Sequence, residues 1–188
     1  MSGANAMQVS SLSLPEVKLI TMPRYPDGRG YFTETYSRAR FAPHIGDIGF
    51  VQDNQSYSAK AFTVRGLHFQ APPHAQAKLV RVLSGAVWDV AVDARKGSPT
   101  YGHWAGAHLS ADIGEQMFIP EGFLHGFMTL APDTVITYKV SSYYQPGSEG
   151  SVHWASPELA ITWPATPLDV TVSEKDAGAV AFERFNSP

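Results

Sequence analysis

The sequence contains no cysteine, and this absence limits the chemistry that the chain can perform. Disulfide bonds, thiolate nucleophiles and zinc sites built on cysteine are all excluded. The absence also fits a reducing compartment, and we expect a cytoplasmic location. Residues 1–8 agree with this expectation, because they lack the basic and apolar regions that begin a secretory signal peptide.

Charged residues are scarce as well, at 16% of the chain, and the formal net charge is only −3. No basic run indicates nucleic-acid binding, so phosphate groups would have to be bound by a few placed cations. No apolar run approaches the roughly 20 residues that a membrane-spanning helix needs. We therefore expect no nucleic-acid partner and no membrane association.

Turn-forming residues recur at short intervals and separate short segments rich in Val, Ile, Phe, Tyr and Thr. The clearest predicted strands are 78–83, 86–92, 101–109, 115–119 and 134–140. Short strands at this spacing predict an all-β fold in which two antiparallel sheets stack as a sandwich. Within one of these strands, alternation predicts that Trp88, Val90 and Val92 face the core.

The chain has 188 residues, of which 44% are hydrophobic, and this suffices for one domain with a sizeable core. We predict a single domain over residues 9–183, a disordered N-terminus at 1–8 and a loose C-terminus at 184–188. Helical periodicity is rare. Two short helices are predicted, at 36–43 and at 174–177, and Ser173 is a candidate N-cap for the second.

The stretch 64–70 has the highest density of residues that could carry chemistry. If it is a regular strand, Arg65 and Leu67 share one face and His68 lies on the other, unless Gly66 relaxes the register. An isolated histidine is more often structural than catalytic, so further residues are needed to argue for a site.

Two further positions add to the case for a site. Lys78 lies in an apolar strand, where an ammonium group is costly unless it has a use. His125 lies at the start of another strand, between apolar residues. Tyr138 follows on a third strand, where it is either an ordinary packing residue or an acid that faces a cavity. A sandwich of this kind can hold a ligand between its sheets.

The two histidines also allow a metal site. A metal-binding cupin has two histidines two residues apart, then a glutamate, and a further histidine in a second motif. Here Gln70 occupies the position two after His68, no glutamate follows nearby, and His74 lies in a Pro-Pro loop. Two good ligands remain, whereas catalytic metals usually have three from the protein. We expect no metal, and a metal-dependent cupin enzyme remains an alternative.

At these residues the chain resembles the dTDP-4-dehydrorhamnose 3,5-epimerase family. The segments that carry the resemblance are 27–34, 52–56, 65–70, 76–82, 89–100, 119–127 and 173–176. Each is weak alone, and together they are specific. The resemblance implies a cupin-like jelly-roll, a homodimer, no metal or organic cofactor, and a dTDP-4-keto-6-deoxy sugar as substrate.

The resemblance also implies roles for individual residues. By position, His68 is the base, Tyr138 the acid, Lys78 the group that stabilises the enolate, and Asp176 the carboxylate that orients His68. The positions that match substrate contacts are Gln52, Asn54, Arg65, His125, Tyr144, Glu149 and Lys175. The positions that match nucleotide contacts, from the same subunit or its partner, are Arg29 and Glu34.

The implied reaction is epimerisation at C3 and C5, by removal of a proton beside the ketone and its return from the opposite face. Relatives that invert only one carbon keep the same base and acid, so a mono-epimerase remains an alternative. A non-catalytic module that binds sugar nucleotides is the third possibility.

Overall fold

The computed structural model describes residues 6–165 and 169–186. Within these ranges strands predominate, and the two α-helices are α1 (Arg38–Ile45) and α2 (Glu174–Ala177). The strands are β1 (Gln8–Ser11), β2 (Lys18–Thr21), β3 (Tyr25–Asp27), β4 (Gly30–Phe32), β5 (Gln52–Ser58), β6 (Val64–Gln70), β7 (Lys78–Ser84), β8 (Ala86–Asp93), β9 (Trp104–Ser110), β10 (Glu115–Ile119), β11 (Phe123–Thr129), β12 (Thr134–Val140) and β13 (Glu149–Ser151).

The strands form two main antiparallel sheets and one small hairpin. One sheet has the order β1-β2-β10-β7-β12-β5, the other has the order β13-β6-β11-β8-β9, and β3 pairs with β4. The predicted all-β, cupin-like jelly-roll sandwich is confirmed. Strands β10 and β12 have the predicted bounds, whereas β9 begins at Trp104 because the preceding residues form a turn in which Gly102 has a φ of 77°.

The main hydrophobic core lies between the two sheets. Strand β7 contributes Val80 and Val82 from one sheet, and β8 contributes Val87 and Ala91 from the other. All four side chains are buried. This core fills the middle of the sandwich and leaves one end of it free for polar residues.

Strand β8 is buried on both faces, which corrects the predicted alternation. The face towards the opposite sheet carries Val87, Asp89 and Ala91. The outer face carries Trp88, Val90 and Val92, which were predicted to face the core between the sheets. These side chains pack instead against the C-terminal part of the chain, including Leu159 and Phe182. Alternation could not reveal this, because the covering segment is distant in sequence.

Loose chain ends were predicted, but the described residues at both ends belong to the folded domain. Residues 1–5 and 187–188 lie outside the described ranges, and β1 already begins at Gln8. Phe185 is buried, and its ring centroid lies 5.0 Å from that of Phe69 and 6.2 Å from that of Phe182. The chain is therefore packed up to Phe185 and is not loose from Arg184, because aromatic burial stabilises this end.

Helix α2 matches its predicted bounds, and Ser173 caps it by accepting a hydrogen bond from the Asp176 N–H at 3.1 Å. The cap places Asp176 in the first turn, where its side chain reaches β6. Helix α1 lies two residues further along the chain than predicted. Within the two described ranges, no helix is long and apolar enough to cross a bilayer.

Candidate active site

A cavity of about 290 Å³ opens between the two sheets at one end of the sandwich. Its volume lies near the lower end of the range for small-molecule sites. The cavity is lined by Gln52, Asn54, His68, Phe69, Gln70, Gln76, Lys78, Tyr138, Tyr144 and Glu149. Seven of the residues singled out in the sequence are therefore brought together: Gln52, Asn54, His68, Lys78, Tyr138, Tyr144 and Glu149.

A bulge in β6 decides which residues face this cavity. His68 lies opposite His125, whereas Arg65 lies opposite Phe127, so β6 has one residue more than β11 between these pairs. Because His125 and Phe127 are two residues apart and share a face, Arg65 and His68 also share one. The alternation expected of a regular strand therefore does not hold, and the register is relaxed at Gly66.

Glycine makes the bulge possible. Gly66 has a φ of +120°, and a Cβ atom there would lie 2.6 Å from the Gly126 Cα atom. Both the backbone conformation and this close approach require a residue without a side chain. The two strands can thus approach each other directly beside His68.

His68 is paired with Asp176 from helix α2. Its Nε2 atom lies 2.7 Å from Asp176 Oδ1, and Asp176 Oδ2 accepts a hydrogen bond from the Gly66 N–H at 3.2 Å. Burial acts to raise the pKa of Asp176, but its hydrogen bonds with His68 and with the Gly66 N–H outweigh this effect and lower the pKa. The charged carboxylate holds the imidazole in one orientation.

Lys78 is buried, and its ammonium is sparsely bonded. Its Nζ donates one long hydrogen bond, 3.4 Å, to the His68 backbone oxygen. Burial lowers its pKa to about 8, against the opposing charges of Asp89 and Glu149. The folded protein therefore holds this charge at a cost.

We expect the substitution Lys78→Met to stabilise the protein. The pKa of Lys78 falls from 10.5 to about 8 on folding, so below pH 8 its charge costs about 3 kcal/mol, which the variant recovers. Between these two values the unfolded state binds more protons, so the penalty shrinks as pH rises. Chemical denaturation at pH 7 and at pH 9.5 measures the gain, which should be clearly larger at pH 7. An equal gain at both values would contradict the buried-charge explanation.

Tyr138 projects from β12 into the same cavity. Burial raises the pKa of its phenol, and the nearby charge of Arg65 opposes this only in part. The phenol therefore stays protonated at neutral pH and can donate a proton.

Polar side chains at the cavity mouth are hydrogen-bonded to each other. Glu149 accepts from Lys175 Nζ at 2.7 Å and from the Tyr144 hydroxyl at 3.2 Å, and the Lys175 hydrogen bond is the main reason that its pKa is lowered. Gln52 donates to Asn54 Oδ1 at 2.8 Å and accepts from the Tyr144 N–H at 3.2 Å. The mouth thus has donors and acceptors for a polar ligand.

Five of the predicted substrate-contacting residues do not line the cavity. One of them, Lys175, bonds to Glu149 at the mouth of the cavity. His125 lies behind its wall, and Arg65 donates to the Tyr57 backbone oxygen at 2.8 Å. Arg29 pairs with Asp27 on the β3–β4 hairpin and has a side chain that is 90% exposed. Glu34 follows this hairpin and pairs with Arg40 at 3.2 Å.

Sequence reasoning missed the function of Gln70. Its amide nitrogen donates to the backbone oxygens of His74, at 2.7 Å, and Tyr143, at 3.2 Å, and its amide oxygen accepts from the Gln145 N–H at 2.7 Å. The side chain therefore joins two loops that wall the cavity. Its position two residues after His68 was the available signal. Among the described residues, no three His, Asp or Glu side chains form a group suited to a metal ion.

Asp89 is the other residue that was missed. It is fully buried on the inner face of β8, and its Oδ1 atom lies 2.6 Å from His125 Nε2. An aspartate between apolar residues of a strand was the signal in the sequence, because such a group is rarely buried without a partner.

The fold and the site together define a cupin-like jelly-roll enzyme with a histidine, a tyrosine and a lysine around one polar cavity. The chain belongs to the dTDP-4-dehydrorhamnose 3,5-epimerase family, whose model matches residues 11–184. This confirms the family resemblance and makes the chain an isomerase.

Relatives and a solved structure agree with this assignment. The dTDP-4-dehydrorhamnose 3,5-epimerase of Sinorhizobium fredii is 51% identical, over 91% of this chain and 87% of the relative. The dTDP-4-dehydrorhamnose 3-epimerase of Streptomyces niveus is 40% identical, over 95% of this chain and 86% of the relative. The crystal structure of the dTDP-6-deoxy-D-glucose-3,5-epimerase of Legionella pneumophila, in complex with dTDP-4-keto-L-rhamnose, has a TM-score of 0.91 and 42% identity, over 96% and 95% of the two chains.

Proposed function

We propose that this protein epimerises C3 and C5 of a dTDP-4-keto-6-deoxyhexose and so produces dTDP-4-dehydro-L-rhamnose. The observation that carries the proposal is the common cavity of His68, Lys78 and Tyr138. The relatives support this choice of substrate, because they are named as enzymes that act on or bind dTDP-keto sugars.

His68 acts as the base in this proposal. A proton beside a ketone is far less acidic than an imidazolium, so its removal needs a base that is held in place and a stabilised product. Asp176 supplies the positioning, since its carboxylate lies 2.7 Å from His68 Nε2. The other ring nitrogen then takes the proton from the sugar.

Lys78 stabilises the enolate that forms. A fixed ammonium beside the ketone oxygen lowers the energy of the developing negative charge, and such preorganised charge typically contributes several kcal/mol. The buried position of Lys78 strengthens this interaction, because little water screens it. The same burial that destabilises the folded protein thus favours the reaction.

Tyr138 acts as the acid. Inversion requires that the proton returns from the face opposite to the one it left, so a second group is needed. The buried, protonated phenol of Tyr138 fits that role.

The nucleotide is bound at the cavity mouth in this proposal, through the polar groups around Glu149 and Lys175 and through Arg65. Arg29 and Glu34 do not line the cavity of their own chain, and Arg29 is largely exposed. We therefore propose a homodimer in which these two residues reach the site of the partner copy. A cytoplasmic location belongs to the same proposal, and the absence of cysteine agrees with it.

Incubation with the dTDP-4-keto-6-deoxy sugar in heavy water, followed by NMR, tests the proposed function. We expect deuterium at both C3 and C5, together with inversion of both centres. Label at one carbon only would favour a mono-epimerase. The Streptomyces niveus relative, a dTDP-4-dehydrorhamnose 3-epimerase, supports this alternative. Binding of the sugar nucleotide without any label would contradict both.

A further inference from the structure

Behind the cavity wall, two polar side chains of neighbouring strands are paired, with His125 Nε2 2.6 Å from Asp89 Oδ1. Asp89 on β8 and His125 on β11 are both buried, and Lys78 on β7 faces the cavity. The charge of Lys78 acts on both of these residues. The proposed reaction uses the lysine, whereas nothing so far explains the histidine–aspartate pair.

The two carboxylate oxygens of Asp89 differ. Oδ1 lies 2.6 Å from His125 Nε2. Oδ2 is buried and has no hydrogen-bond partner among the described residues. A buried carboxylate oxygen without a partner is costly, so it calls for an explanation beyond packing.

We propose that Asp89 is a positioning residue of the active site, which fixes His125 in one tautomer and keeps the ammonium of Lys78 charged. The inference rests on the proposed epimerisation and deepens it. Asp89 does not line the cavity, so it would act through His125 and Lys78 and not on the sugar itself.

The tautomer follows from the hydrogen bond. An ionised carboxylate can only accept, so the proton between the two groups is on Nε2 of His125. Burial lowers the pKa of His125, and Asp89 opposes this only in part, so the ring is neutral at neutral pH. Its Nδ1 atom is then an acceptor for an N–H or O–H donor.

The charge argument concerns Lys78. The ionisable groups that face it are His68 from β6, Asp89 from β8, His125 from β11, Tyr138 from β12 and Glu149 from β13. Of these, Asp89 and Glu149 raise the pKa of Lys78, against a burial effect that lowers it to about 8. Removing the Asp89 charge therefore lowers the pKa of Lys78 further, so that a larger share of the amine is neutral at neutral pH and unable to stabilise an enolate.

The variant Asp89→Asn tests this role, because it keeps the shape of the side chain and removes its charge. Deuterium incorporation from heavy water is measured between pH 6 and pH 9. The wild-type rate should fall as pH rises through about 8, where Lys78 loses its proton. In the variant this fall should move to lower pH by about one unit or more. Asp89→Glu, which restores the charge, should restore the wild-type midpoint.

Asp93 provides a matched control. It is also buried on β8, but it is bonded to Arg95, Ser98 and Thr100. Asp93→Asn should lower the melting temperature and leave the pH midpoint unchanged. A purely structural role for Asp89 predicts the same behaviour in Asp89→Asn, and an unshifted midpoint in that variant would overturn the inference.

A measurement without substrate separates this inference from the proposed function. ¹³C NMR of the lysine side chains should show Lys78 titrating near pH 8 in the wild type and lower in Asp89→Asn, whether or not the sugar is the substrate. ¹⁵N NMR of the wild type should show His125 with its proton on Nε2. A proton on Nδ1 would overturn the inference even if Asp89→Asn fails to fold. Absence of deuterium uptake by the wild type would contradict only the proposed function.

Discussion

The substitution His68→Ala is expected to abolish deuterium uptake at both carbons of the sugar. One base serves both positions in the proposed reaction, so its removal stops enolate formation wherever it begins. General-base catalysis typically contributes 10²- to 10⁴-fold, and we expect a loss of roughly 10³-fold. Rates of label incorporation, followed by NMR in heavy water, measure the effect at each carbon separately.

A matched control distinguishes loss of the base from general damage. His108 lies exposed on β9, away from the cavity, so His108→Ala should retain the wild-type rate. His68→Asn retains a polar group that can bond to Asp176, but it cannot take up the proton, so it should be as inactive as His68→Ala. Uptake at one carbon that survives in both His68 variants would mean that a second base acts there.

The substitution Tyr138→Phe is expected to separate inversion from exchange. Without the phenol, the enolate still forms but must be reprotonated by His68 from the face that lost the proton. The sugar then gains deuterium and retains its configuration. We expect inversion to fall by roughly 10²- to 10⁴-fold, whereas exchange should retain a much larger share of its rate. NMR of recovered sugar reports both quantities in one sample.

Tyr143 is the appropriate control for this variant. Its side chain is exposed, it does not line the cavity, and it lies close to Tyr138 in sequence. Tyr143→Phe should leave both inversion and exchange unchanged. If Tyr138→Phe reduces inversion and exchange equally, the phenol is needed for proton removal, and the division of roles between His68 and Tyr138 is wrong.

Local patterns explain why much of the fold could be predicted. Turn residues at short intervals set the strand bounds, and β10 and β12 match their predictions. The Ser173 cap also predicted α2, because a capping hydrogen bond involves only neighbouring residues. The prediction of the core face of β8 failed where a distant segment, including Phe182, covers the outer face.

The candidate site could likewise be predicted only in part from the sequence. The sequence by itself determined which residue types were available. Lys78 could be picked out because a charged group in an apolar strand is costly and needs a reason, whereas the roles of His68 and Tyr138 were implied by the family resemblance. Only the tertiary structure decided that the β6 bulge turns Arg65 and His68 to one face, and that Asp89 pairs with His125. Strand register and burial arise from contacts between segments that are far apart in sequence, so no local pattern specifies them.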